Sequence, residues 1–144
     1  MAEGDVTFYN IFKQELGLGT IDWEADTLKI TLHTSYTPDI DAHEGWADVS
    51  ATEYGTGDGY TAGGETLATA YFDVDDANDR ADFGADAVTW SSLGALSPAT
   101  PGHAIVWDDT HASDCLICYI ELGSTATNGG DYTIDISGDL GRLS

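Results

Sequence analysis

Apolar residues recur at helical spacing only once, near the N-terminus. Phe8, Ile11, Phe12 and Leu16 stand at i, i+3, i+4 and i+8, one face of a helix. The spacing predicts a short helix over about residues 6–16, with Asp5 or Thr7 capping its start and Gly17 closing it. After Gly19-Thr20 and Ile21-Asp22-Trp23 the period changes to two. From Leu28 to Thr34 apolar and polar residues alternate strictly, with Leu28, Ile30 and Leu32 on one face, which predicts a half-buried strand. Tyr36 to about Gly45, punctuated by Thr37-Pro38-Asp39, reads as a long polar connection.

The remainder is a series of short apolar runs between turn signals. Trp46 to Val49 is a weak strand pattern, and Gly55 to Gly59 with Gly63-Gly64 are turns around Tyr60. Leu67–Phe72, Arg80–Phe83, Ala87–Trp90, Ala104–Trp107, Cys115–Leu122 and Tyr132–Ile136 read as further strands. Short strands at this spacing, without helices between them, predict an antiparallel β-sandwich or a jelly-roll-like barrel. The expected architecture is therefore mainly β, with one short N-terminal helix. No repeat or linker divides the chain, so residues 1–144 are expected to form one domain, large enough to bury roughly 70% of the unfolded surface.

Charge changes this picture more than composition does. The chain carries 26 Asp plus Glu against 4 Lys plus Arg, a formal net charge of −22. Lys13, Lys29, Arg80 and Arg142 are the only fixed cations, too few to neutralise a row of phosphates, so nucleic acid is excluded as a partner. An anionic membrane surface is excluded for the same reason. Four Trp and seven Tyr set the chain apart from a disordered acidic tail. Like charge at this density destabilises a compact state in dilute salt. Molar salt shortens the Debye length to about 3 Å and relieves the repulsion. Because the acids are dispersed from Glu3 to Asp139 rather than clustered, adaptation to strong salt accounts for them better than a basic partner or a dedicated divalent-metal site. No basic start leads into an apolar core, so a signal peptide is not expected, and the uncharged stretch Ala87–Trp107 is broken by Pro98, Pro101 and Gly102. Cys115 and Cys118 are too few for a disulfide framework, and synthesis in a cytosol is expected.

Little of the sequence carries chemistry. Asp73, Asp75, Asp76 and Asp79 form the best metal candidate, since Ca²⁺ takes six to eight closely spaced oxygens. They lack EF-hand spacing and flanking helices, so a solvated acidic turn is the better reading and no metal or cofactor is assigned. Cys115-Leu-Ile-Cys118 matches C-x-x-C but lies within an apolar strand, where residues three apart point to opposite faces; buried small hydrophobes are expected. His33, His43, His103 and His111 form no ligand spacing, and Gly55 to Gly64 lacks the Lys-Ser/Thr of a phosphate-binding loop. No nucleophile setting is visible, so no catalytic residue is assigned and an enzyme is not expected.

Taken in order, these segments resemble a family of small β-rich structural proteins from tailed viruses of bacteria and archaea. The resemblance runs through Tyr9-Asn10-Ile11-Phe12-Lys13, Gly19-Thr20-Ile21-Asp22 and Asp26 to Asp39. It continues in Ala47-Asp48-Val49-Ser50, Gly59-Tyr60-Thr61-Ala62-Gly63-Gly64, Asp86 to Ser91, Ala104-Ile105-Val106 and Tyr119 to Gly123. It implies a virion structural component packed in many copies. An accessory decoration or turret subunit on the outside of the head is the expectation, homo-oligomeric and held against the major capsid protein or other virion proteins. A tail or neck component is the alternative; a glycan- or Ca²⁺-binding β-sandwich using exposed Trp or Tyr is another. Acidic or small residues stand where the family pattern could carry lysine, which fits a virus of a halophilic archaeon.

Overall fold

The computed structural model describes residues 4–94, 96–123 and 126–144; Glu3, one of the acids counted above, lies outside them. Among these residues, ten strands form three antiparallel sheets, accompanied by one α-helix. In chain order the elements are β1 (Val6–Phe8), α1 (Asn10–Leu18), β2 (Leu28–His33), β3 (Glu65–Thr66), β4 (Tyr71–Asp75) and β5 (Arg80–Gly84). They continue with β6 (Val88–Trp90), β7 (His103–Asp108), β8 (Leu116–Glu121), β9 (Tyr132–Ile134) and β10 (Gly141–Leu143). The sheets run β1-β8-β7-β2-β3, β10-β5-β4 and β6-β9. The mainly β architecture with a short N-terminal helix is as expected, but the sheets stay open and no barrel closes among the described residues.

Alternation along the central strands explains the layering. Leu28, Ile30 and Leu32 of β2, with Ala104 and Val106 of β7, point into the main core. Phe83, Val88, Trp90, Tyr132 and Ile134 from the two smaller sheets fill the same core. The opposite face of the large sheet is buried as well, which corrects the half-buried reading of β2: Thr31 and His33 are fully covered. The connection from Tyr36 onward folds back over that face. Tyr36, Val49 and Trp46 pack there on Ile105, Trp107 and Tyr119, and Trp46 stacks on Trp107 at 4.5 Å. Backbone bonds pin the connection: the Trp46 N–H donates to the Asp114 carbonyl at 3.0 Å, and Leu116 N–H to the Glu44 carbonyl at 2.9 Å.

Several local expectations need correction. Phe8 ends a strand, so the helix starts at Asn10, without a side-chain cap, and closes at Gly19 (φ +74°) rather than Gly17. The Asn10 N–H, unpaired within the helix, is satisfied by the Ile40 carbonyl at 3.2 Å. Trp46–Asp48 is a 3₁₀ turn, not a strand, because the Asp48 carboxylate accepts the Glu44 and Gly45 N–H groups at 2.9 and 3.1 Å. Leu67–Phe72 is interrupted at Thr69, whose φ is +53°. Gly64 also has positive φ (+70°), and an added Cβ would collide with the Ile30 carbonyl. That close approach lets β3 lie beside β2.

Candidate functional site

The metal candidates lie on the β4–β5 hairpin. Asp75 is held by Arg80 at 3.3 Å and accepts Asn78 Nδ2 at 2.7 Å. The Asn78 bond and then the Arg80 charge keep its carboxyl below the usual range. Asp73 is exposed on β4, while Asp76 and Asp79 occupy the turn. Among the described residues no group of three or more His, Cys, Asp or Glu side chains is placed to hold a metal ion.

Cys115 and Cys118 are both buried and unbridged. They do not point to opposite faces, however: both enter the main core. The register shifts between the Val106–Cys118 and Trp107–Leu116 pairs, and the extra residue of this bulge, Ile117, turns the side-chain alternation. Burial pushes the Cys115 thiol up to about 12 and raises that of Cys118 too, so neither supplies a thiolate near neutral pH.

Three of the four histidines gather around Tyr36, a grouping no spacing in the sequence announced. The Tyr36 hydroxyl lies 2.6 Å from the Tyr9 hydroxyl and 2.9 Å from His43 Nδ1. The His33 and His103 rings are 6.0 and 5.5 Å from the Tyr36 ring. His33 bridges Thr31 Oγ1 at 2.8 Å and Thr52 Oγ1 at 2.9 Å. Burial, aided by the charge of His103, lowers its pKa to about 3, so it is neutral and acts as a hydrogen-bonding wedge. His103 Nε2 meets Glu121 at 3.1 Å. The cluster ties the folded-back connection to the sheet. His111 lies elsewhere, 3.2 Å from Glu15.

A second buried polar group is Asp108, fully covered at the end of β7. Its Oδ1 accepts the N–H groups of Thr110 and His111 at 2.8 and 3.1 Å. Its Oδ2 has no donor among the described residues, and the Asp26 carboxylate lies beside the Asp108 carboxyl. Burial, reinforced by Asp26, raises the Asp108 pKa to about 6.

One open feature of the surface is apolar. Between α1 and the β10-β5-β4 sheet runs a groove of about 420 Å³ whose walls are Phe8, Phe12, Leu16, Phe83 and Leu143. Gly141 sits opposite Phe83 in the register, and an added Cβ there would strike the Phe83 and Phe8 rings. The groove therefore depends on glycine at 141. Lys13 and Arg142, two of the four fixed cations, also line it. Its floor continues across the sheet: Val74 pairs with Ala81, and Ala81 with Leu143, so all three share one face. Val74 and Leu143 are 75% and 49% exposed, two of the three large hydrophobic side chains so exposed among the described residues. By contrast no Trp or Tyr is exposed; Trp46 and Tyr71 are half-buried and the others buried. The groove's polar side and its apolar floor come from three distant segments of the chain.

Compared with protein-family models, curated proteins and solved structures, the chain matches none.

Proposed function

We propose that the chain is a virion structural protein, an accessory decoration or turret subunit on the head of a tailed virus that lives in strong salt. The observation that carries this reading is the contrast between interior and surface. The histidine cluster around Tyr36 and the buried Asp108 are tied up in holding the fold together, whereas an apolar groove lined also by two cations lies open on a molecule of net charge −22. Exposed contiguous apolar surface marks a place where another macromolecule sits. In molar salt, ion pairs across an interface are screened within about 3 Å, so apolar contact supplies the adhesion. Repeated over a symmetric shell, even small contacts add up through multivalency. The subunit would stabilise the head by bridging neighbouring capsid proteins while its dispersed carboxylates face the brine. The resemblance along the chain supports the same assignment.

Copy number tests it. Quantitative mass spectrometry of purified virions, with heads and tails separated, should find hundreds of copies in the head fraction. A few dozen or fewer, confined to tails, would assign the chain to the tail or neck; absence from the particle would refute the reading altogether.

A further inference from the structure

We propose that Asp26 and Asp108 form a proton-operated latch between the loop that leads into β2 and the turn that joins β7 to β8. With one proton shared by the two carboxyls the seam is closed; without it, the seam opens locally. The register of the large sheet brings the pair together. Leu28 stands opposite Asp108, so Asp26, two residues earlier, is its diagonal neighbour. Two bonds cross the same seam: Asp109 N–H donates to the Thr27 carbonyl at 2.9 Å, and Thr27 N–H to Thr110 Oγ1 at 2.8 Å. Asp108 is fully buried and its Oδ2 has no donor among the described residues. Asp26 is half-buried, within hydrogen-bond reach of the Asp108 carboxyl.

Two carboxylates this close and this dry repel, whereas a carboxyl that donates its O–H to a carboxylate binds it. The proton comes from solvent and returns to it, and the Asp108 pKa, raised to about 6 by burial and by Asp26, puts that exchange just below neutrality. The charges around the pair favour the shared proton. Asp22 on the loop and Asp109 and Asp114 on the turn are acids, exposed or half-buried. Glu15 of α1 and Glu44 of the folded-back connection act together with Asp108 on the Cys115 thiol. Lys29, next along β2, lies on the sheet face opposite to Leu28 and Asp108. His111 Nε2, on the same turn, is 3.2 Å from Glu15 and pairs with it as an ion once protonated, a second joint that tightens in acid. Opening stays local because it uncovers little. Glu24, Ala25 and Thr27 are exposed, whereas Trp23 is buried and anchors the loop by donating from Nε1 to the Gly84 carbonyl at 3.0 Å. The latch does not depend on the proposed function.

Amide hydrogen exchange of the full chain in molar KCl, corrected for intrinsic rates, is the test. Between pH 5 and 7.5 the protection of the Thr27 and Asp109 amides is expected to fall about 10-fold, the change produced by a carboxyl pKa of about 6 when closed and 3.8 when open. Amides in the middle of β2 and β7 are not expected to fall with them, because global unfolding also feels His33, which acts with the opposite sign. Asp108→Asn and Asp26→Asn each supply an N–H donor across the seam in place of the proton. Each is expected to keep the two amides protected at pH 7.5 and to cut the change to about twofold or less, the part left to His111 and Glu15 in strong salt. Either variant suffices if the other does not fold. Wild-type protection that ignores pH, a parallel fall throughout the large sheet, or a folded variant that keeps the full change overturns the proposal.

Discussion

Replacing Asp108 with Asn should stabilise this protein at neutral pH, although it removes a buried, hydrogen-bonded carboxylate. The Asp108 Oδ1 accepts two backbone N–H groups, its Oδ2 has no donor among the described residues, and the Asp26 carboxylate lies beside the group. An asparagine keeps the first acceptor and turns an N–H₂ donor toward Asp26. The cost of the wild-type arrangement follows from the pKa, raised from 3.8 to about 6 by burial and by Asp26. At 1.36 kcal/mol per tenfold change this is about 3 kcal/mol at most, and sharing with half-exposed Asp26 and its salt-screened charge puts the expected gain at about 1–3 kcal/mol. For a chain of this length that is a rise of about 4–10 °C in melting temperature.

The sign determines the pH dependence. The folded pKa of Asp108 lies above the unfolded value, so between about pH 4 and 6 the folded chain holds a proton that the unfolded chain does not. Its contribution is present in full below about pH 4 and lost as pH rises through about 6. His33 works against this in the same window: with a folded pKa of about 3 against 6.5, it removes stability as pH falls below 6.5. Glu15, Asp48, Asp75 and Asp135 are held below their ordinary values, so their contributions are constant at pH 5 and above and fade only in stronger acid. The informative quantity is therefore the difference in melting temperature between Asp108→Asn and wild type, measured calorimetrically in molar KCl from pH 5 to 8. A large positive difference is expected at pH 7.5, falling to about half at pH 5 and closing only below about pH 4, where folded and unfolded carboxyls both carry a proton. A variant that melts lower than wild type at pH 7.5, or a difference that does not change with pH, would refute the reasoning.

Two further outcomes follow from the charge and from the close approach of β3. Dialysis from molar KCl to tens of millimolar lengthens the Debye length from about 3 Å to more than 10 Å, and the near-UV circular dichroism of the buried tryptophans should collapse; an unchanged spectrum and melting point would remove the argument from salt. Gly64→Ala must place a Cβ against the Ile30 carbonyl at a φ of +70°, so a loss of about 2 kcal/mol or more is expected in urea titration at high salt, against no measurable change if β3 can shift aside.

The sequence was most legible where alternation and length agreed. Leu28–His33, His103–Asp108 and Leu116–Glu121 fall within a residue or two of the expected runs, because each is a long apolar run buried on both faces of the large sheet. It was least legible where three residues suffice. Val6–Phe8 and Gly141–Leu143 are too short for a period, and they pair only because β8 and β5 present free edges. Trp46-Ala47-Asp48-Val49 has the alternation of a strand, but one carboxylate closing on two N–H groups bends it into a 3₁₀ turn. The cysteine spacing misled for a similar reason: a single bulged residue reverses the faces. The candidate site was hidden in sequence because its walls come from residues 8–17, 83 and 142–143, and the Asp26–Asp108 contact because it joins two elements that only the β2–β7 register brings together. Neither has a local pattern.

Cryo-microscopy of the intact virion tests the central claim most directly. Density fitting this three-sheet domain, repeated at symmetry-related positions on the outer surface of the head, is the predicted result. A head surface fully accounted for by other chains, with this domain on the tail or nowhere in the particle, would contradict it.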